Sequence, residues 1–168
     1  MSDGWSKIRG SCLILVLLFG SCHAKRVAFL ADLKMGDVSA DGQLIGGFYQ
    51  IEQNQWRWAA RRFAVVLSPP PGSERAGGIL RLHLFIPNSQ IVTLGSITLS
   101  AETEDAALPP ETFTKGGTYT YSRSVPAAAC RGTLLPVVFN LDKAIARSVA
   151  DPRELGAVVT EVSVEGNP

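Results

Sequence analysis

The chain is poor in the residues from which most enzymes assemble their chemistry. It holds 2 histidines and 3 cysteines in 168 residues. Beyond the first 24 positions only His83 and Cys130 remain of these types. A structural zinc site draws on several Cys or His ligands, and this pair falls short of one. The two histidines and one carboxylate that hold non-haem iron are also lacking as a set. No Gly-x-Ser-x-Gly elbow presents a serine for acyl transfer. The sequence therefore offers no catalytic set, no metal site and no cofactor. His83 alternates with leucines and reads as a solvent-facing strand residue. A lone cysteine closes no internal disulfide, so the fold must rest on hydrophobic burial, with Cys130 as a small core side chain.

An excess of charge is lacking as well. Lys and Arg number 16 against 15 Asp and Glu, for a formal net charge of +1. Without a basic stripe, nucleic acid is not an expected partner.

Long apolar runs are limited to one, over 12–20, about half the ~20 residues that a spanning helix needs. Lys7 and Arg9 precede it, and small residues lead on to Lys25 and Arg26. This is the pattern of an export signal over 1–24, with Cys22 and Ala24 at the −3 and −1 positions. A competing reading takes Leu-Phe-Gly-Ser-Cys over 18–22 as a lipobox, which would make Cys22 a lipidated N-terminus. Phe19 stands where such boxes usually carry leucine, so plain secretion is preferred. Either way the protein is expected to be exported, periplasmic or secreted or anchored as a lipoprotein, with no transmembrane span. A single domain over 25–168 is expected, of a common size for one core.

The rest is short apolar alternation broken by turn residues, which reads as all-β. Strands are expected at 27–30, 44–51, 56–67, 78–86, 91–94, 96–100, 118–125, 134–141 and 157–165. In 56–67, Phe63, Val65 and Leu67 share one face. In 78–86, Leu80, Leu82, Leu84 and Ile86 point inward while Arg81 and His83 point out. In the last strand Val158, Thr160, Val162 and Val164 are expected inward. The stretch 101–114 reads as a proline-bearing loop, and 127–129 as too short for a helix. One helical turn is expected at 142–149, capped by Asp142. Eight or nine strands at this spacing predict a two-sheet antiparallel β-sandwich of jelly-roll type.

Residues 46–67 carry the densest signal. They gather Phe48, Tyr49, Trp56, Trp58 and Phe63 among Glu52, Arg57, Arg61 and Arg62. At strand spacing Trp56 and Trp58 share a face and Arg57 takes the other. The apolar C–H face of a pyranose packs on indole or phenol rings, while its hydroxyls need paired donors and acceptors. Tyr49, Glu52, Trp56, Arg57 and Trp58 supply both kinds and form the candidate ligand-binding set. The alternative is a packed seam, since each tryptophan can bury ~150–250 Å². The pair must be sealed or exposed together, and the expectation leans to sealed.

Two motifs together resemble a bacterial β-sandwich family of uncharacterised function. The first runs Gly47-Phe48 to Glu52, then Trp56-Arg57-Trp58 and a hydrophobic strand. The second is Asp151-Pro-Arg153-Glu154-Leu155-Gly156 before the final strand. Members of that family are often found beside glycosyltransferases and methyltransferases of surface-polysaccharide clusters. The resemblance implies a jelly-roll module and transfers no catalytic residues. For the second motif a structural account is favoured: Arg153 bonding back to Glu52 or to strand-end carbonyls, Asp151 capping the turn, and Gly156 giving permissive backbone.

The resulting expectation is a non-enzymatic module that binds polysaccharide at the cell envelope. One alternative is a structural or assembly protein that pairs with another envelope protein through exposed strands such as 118–125. The other is a glycoside-active enzyme using Glu52 and a distant carboxylate.

Overall fold

The computed structural model describes residues 28–167. The leader over 1–24, its cleavage after Ala24 and the lipidation of Cys22 lie outside the described residues.

Among the described residues nine strands form, and every pairing among them is antiparallel. They are β1 (Asp32–Lys34), β2 (Leu44–Glu52), β3 (Trp56–Leu67), β4 (Gly78–Ile86), β5 (Ile97–Glu102), β6 (Ala107–Phe113), β7 (Gly117–Val125), β8 (Leu135–Leu141) and β9 (Ala157–Gly166). One ladder runs β6-β5-β8-β3-β9-β4-β7, with β1 on β9 and β2 on β3. Strand β3 is the hinge of this sheet. It pairs with β9 over Arg57 to Ala59 and with β8 over Arg62 to Leu67.

The sheet curls until its end strands meet, nearly forming a barrel. Side chains rather than a ladder join β7 to β6: the Tyr121 hydroxyl donates to the Pro109 carbonyl at 2.9 Å, and Arg123 bonds the Pro109 and Pro110 carbonyls and Glu111. Inside lies one hydrophobic core in which Phe63 stacks on Phe139 at 5.0 Å between ring centres. Leu80, Leu82, Leu84 and Ile86 of β4 are buried in it, as their alternation predicts.

Several expected elements differ. Residues 91–94 belong to a helix, α2 (Asn88–Leu94), because Pro87 sets its entry and Gly95 its end. A further turn, α1 (Ser73–Ala76), and 3₁₀ turns at Val38–Gln43 and Ala127–Cys130 add helix where at most one turn was expected. The expected helix at 142–149 does not form. Asp142 instead accepts from the Thr98 amide, and Ile145 makes a two-residue bridge with Leu155. The expected loop at 101–114 contains β6 despite Pro109 and Pro110. Prolines lack a ladder donor, but β6 pairs only with β5, and its register shifts beside them. The first strand starts at Asp32, with 28–30 irregular.

Strand β9 changes face partway. Its register with β4 jumps from His83↔Glu161 to Leu84↔Val159, which leaves Thr160 as the extra residue of a bulge. Val162 and Val164 are buried as expected, whereas Thr160 is exposed and Val159 takes the buried place.

Candidate functional site

The site is organised by the hairpin of β2 and β3. Gln53 and Asn54 both have left-handed backbone, with φ of 50° and 56°, and the Gln55 amide donates to the Glu52 carbonyl at 3.1 Å. This is the mirror-image turn that matches the twist of paired strands. Asparagine tolerates that conformation readily and glutamine less so. The tip is held because Gly36, in the turn after β1, packs against the Asn54 backbone where a Cβ would collide. Glu52 and Trp56 flank the turn as a cross-strand pair.

Alternation along β3 then separates the two kinds of residue. Arg57, Ala59, Phe63, Val65 and Leu67 are buried, so Trp56 and Trp58 face outward. The pair does lie on one face, but it is not sealed in the core. Both indoles are half-buried and line an open groove of 460 Å³ with Glu52, Phe85, Pro87, Val158 and Thr160. Phe85 arrives on β4 by the same alternation that exposes Arg81 and His83. Val158 and Thr160 arrive because the β9 bulge turns them outward. Sequence reasoning missed these last three and Pro87. The signal for Phe85 was present in the pattern of β4, whereas the bulge left none.

Arg57 stands on the other side of the strand. Its Nε donates to the Met35 carbonyl at 3.0 Å and one terminal nitrogen to the Tyr49 carbonyl at 3.4 Å. The other pairs with Asp41. The guanidinium thus joins β1, β2 and the 3₁₀ turn beneath the hairpin.

The remaining predicted residues converge at the rim of the groove. Arg153 donates to Glu52 at 2.6 Å and to both oxygens of Asp151 at 3.0 and 2.8 Å. The same Asp151 oxygen that takes Nε accepts the Arg153 amide at 2.9 Å, which closes the turn. Tyr49 accepts the Glu154 amide on its hydroxyl at 2.9 Å, and its ring lies 5.6 Å from the Arg153 guanidinium. Glu154 accepts the Arg61 amide at 3.1 Å. Hydrogen bonds from Arg153 hold the Asp151 carboxyl down to about 2, and the two carboxylates raise the guanidinium further above its ordinary value. Gly156 serves by closeness rather than by an unusual backbone angle: a Cβ there would lie 2.5 Å from the Ala60 carbonyl oxygen. The two sequence motifs therefore form one structure, with Glu52 as the member shared with the groove.

Chemically the groove offers an apolar floor of two indoles, Phe85 and Pro87, with polar groups at its edge. Glu52 is the one carboxylate among its lining residues, and it is committed to Arg153.

Neither a scan of protein-family models nor a search of curated proteins returns a match. Among solved structures, the fold is similar to an acetyl xylan esterase (Est2A) from the rumen bacterium Butyrivibrio proteoclasticus, with TM-score 0.44 and 11% identity over 83% of this chain and 34% of that one. The chain thus spans about a third of the esterase. A structure described as "CBM4 structure and function" is similar with TM-score 0.37 and 11% identity, over 86% of this chain and 90% of the other.

Proposed function

We propose that the protein is an exported, non-enzymatic module that binds carbohydrate through the groove of Trp56 and Trp58. The observation that carries this reading is the outward placement of both indoles beside a carboxylate already fixed by Arg153. Two rings two residues apart on one strand stand about 6.5 Å from each other. They make an apolar strip on which the C–H face of a sugar can lie, with Glu52 and Thr160 placed to meet its hydroxyls. Such a strip is prepared before the ligand arrives, because the turn, the Gly36 contact and the Arg153 cluster hold it. Hydrolysis would need a second carboxylate across the groove from Glu52; the other lining residues are Phe85, Pro87, Val158, Thr160 and the two tryptophans.

The same reading takes the curled sheet as a jelly-roll sandwich over 25–168, with β3 shared between its halves. It places the module at the cell envelope on the strength of the signal-like pattern over 1–24, and the intact mass of the exported protein distinguishes cleavage after Ala24 from lipidation at Cys22. Assembly by strand addition at 118–125 is less well supported, because Arg123 already ties that edge to β6.

Affinity electrophoresis in gels containing soluble plant and bacterial polysaccharides tests the binding. Retardation of the wild-type protein by at least one polysaccharide, lost in Trp56→Ala and Trp58→Ala, is expected. No retardation by any of them would overturn the reading.

A further inference from the structure

The aromatic groove does not stop at Trp58. That indole and Pro87 also wall a second trough of 360 Å³, whose far side carries Ser89, Gln90, Thr93 and Leu155. Because the two depressions share a tryptophan and a proline, they adjoin one another where the sheet meets the start of α2.

Gln90 gives the second trough its chemistry. The residue is 3% exposed, and its Nε2 donates to the Leu155 carbonyl at 2.8 Å. This fixes the amide, and the Oε1 atom is left without any hydrogen-bond donor. A buried amide oxygen with no partner in the chain is rare in folded proteins and is completed by an ordered water or by a donor from outside the chain. Thr93 spends its hydroxyl proton on the Ser89 carbonyl at 2.9 Å, so its oxygen too is left to accept. The second trough therefore presents acceptors to a ligand rich in O–H groups. It is lined by no charged side chain, and the first is lined by no cation. Arg153, which meets Glu52 at the rim, is already neutralised by Glu52 and Asp151. A ligand with carboxylate or sulfate groups would find no counter-charge here and would meet Glu52.

We infer that the two troughs form one extended site for a linear, uncharged oligosaccharide. Trp58 is the ring that successive sugar units share, and Gln90 Oε1, which is closed to direct contact, accepts a hydroxyl of the chain's distal part through one bridging water. This rests on the carbohydrate reading above and adds the length and charge class of the ligand.

Isothermal titration with cello-, xylo- and manno-oligosaccharides, from disaccharide to hexasaccharide, tests it. Affinity should rise roughly tenfold or more once the chain outgrows the first groove, the scale of one or two added contacts. Gln90→Met should remove that rise and leave the affinity for the short sugars unchanged, which also reports an intact first groove. Should Gln90→Met fail to fold, Thr93→Arg blocks the same trough from the exposed side of α2 and should remove the rise likewise. Length-independent affinity, or a rise that survives these variants, overturns the extended site while leaving the Trp56 and Trp58 strip in place. Tighter binding of oligogalacturonides than of neutral chains of equal length overturns the assignment of charge class. Failure of the wild-type protein to bind any of these sugars, neutral or acidic, overturns the carbohydrate reading itself.

Discussion

Arg153 and Glu52 lie 101 positions apart and meet in a hydrogen-bonded ion pair of 2.6 Å. The pair ties the turn before the last strand to the tip of the hairpin that carries both outward tryptophans. Each side chain is about a third exposed (31% and 37%), so solvent weakens the attraction. A double-mutant cycle of Glu52→Gln and Arg153→Met, read by urea unfolding, should give a coupling of at most about 1 kcal/mol. The effect on the groove should be larger than the effect on stability, because Arg153 sets where the Glu52 carboxylate stands. Ligand affinity should fall in Arg153→Met even at temperatures where the protein is fully folded.

Asp151 gives the same cluster a pH dependence. Bonds from the Arg153 side chain and amide hold its folded pKa at about 2, below the ~3.9 of an unfolded chain. A carboxyl depressed in this way stabilises the fold fully above its unfolded pKa. That contribution fades as the pH falls from about 4 through about 2. Thermal melts across that range should show the wild-type protein losing its advantage over Asp151→Asn as the pH drops. A gap between the two that stays constant down to about pH 2 would show that Arg153 does not hold this carboxylate in solution.

The outward tryptophans and the inward phenylalanines of one hairpin should respond oppositely to truncation. Phe63 is 1% exposed and packs on both Phe48 and Phe139, so Phe63→Ala should cost about 3–5 kcal/mol. Trp56 and Trp58 lie outside the buried core cluster, and Trp56→Ala or Trp58→Ala should cost less than half of that. Calorimetric melting beside sugar titration separates the two groups. A Trp56→Ala protein as unstable as Phe63→Ala would mean that the indole belongs to the core and not to a binding strip.

Much of this is legible in the sequence, including the outward placement of the two tryptophans. Phe63, Val65 and Leu67 set the odd positions of β3 inward, and carrying that parity back through Ala59 puts Arg57 inside and both tryptophans outside. The expectation of a sealed pair followed residue type, since large apolar rings usually bury, and parity decided otherwise. The paired motifs leave Arg153 either Glu52 or strand-end carbonyls as partner, and the structure selects Glu52. The β9 bulge did not follow from anything in the chain: Val158, Thr160, Val162 and Val164 alternate without a break, and only the mismatch of register against β4 shows the extra residue. The strand through Pro109 and Pro110 was hidden for a similar reason, because proline is excluded from central strands and β6 lies at the end of the ladder. The run Ile91 to Leu94 is too short for periodicity to tell strand from helix, and its placement after Pro87 decided the outcome.

Arg57 belongs to the ligand-binding set expected from the sequence, but its position on the inner face predicts a different phenotype. Its side chain is 9% exposed and serves the Met35 and Tyr49 carbonyls as well as Asp41. Arg57→Met would leave those two carbonyls without their donor and Asp41 without its counter-charge. Asp41 is itself 59% exposed and can be rehydrated, so the cost should be about 2–3 kcal/mol, short of that for a fully buried pair. Arg57→Lys should recover only part of it, because an ammonium cannot reach all three acceptors in the fixed fork geometry of a guanidinium. Affinity for sugar, measured below the melting transition, should stay within about twofold of wild type in both variants, an energy change below about 0.5 kcal/mol. Loss of binding with stability intact would instead place Arg57 against the ligand and require the hairpin to present both faces to it.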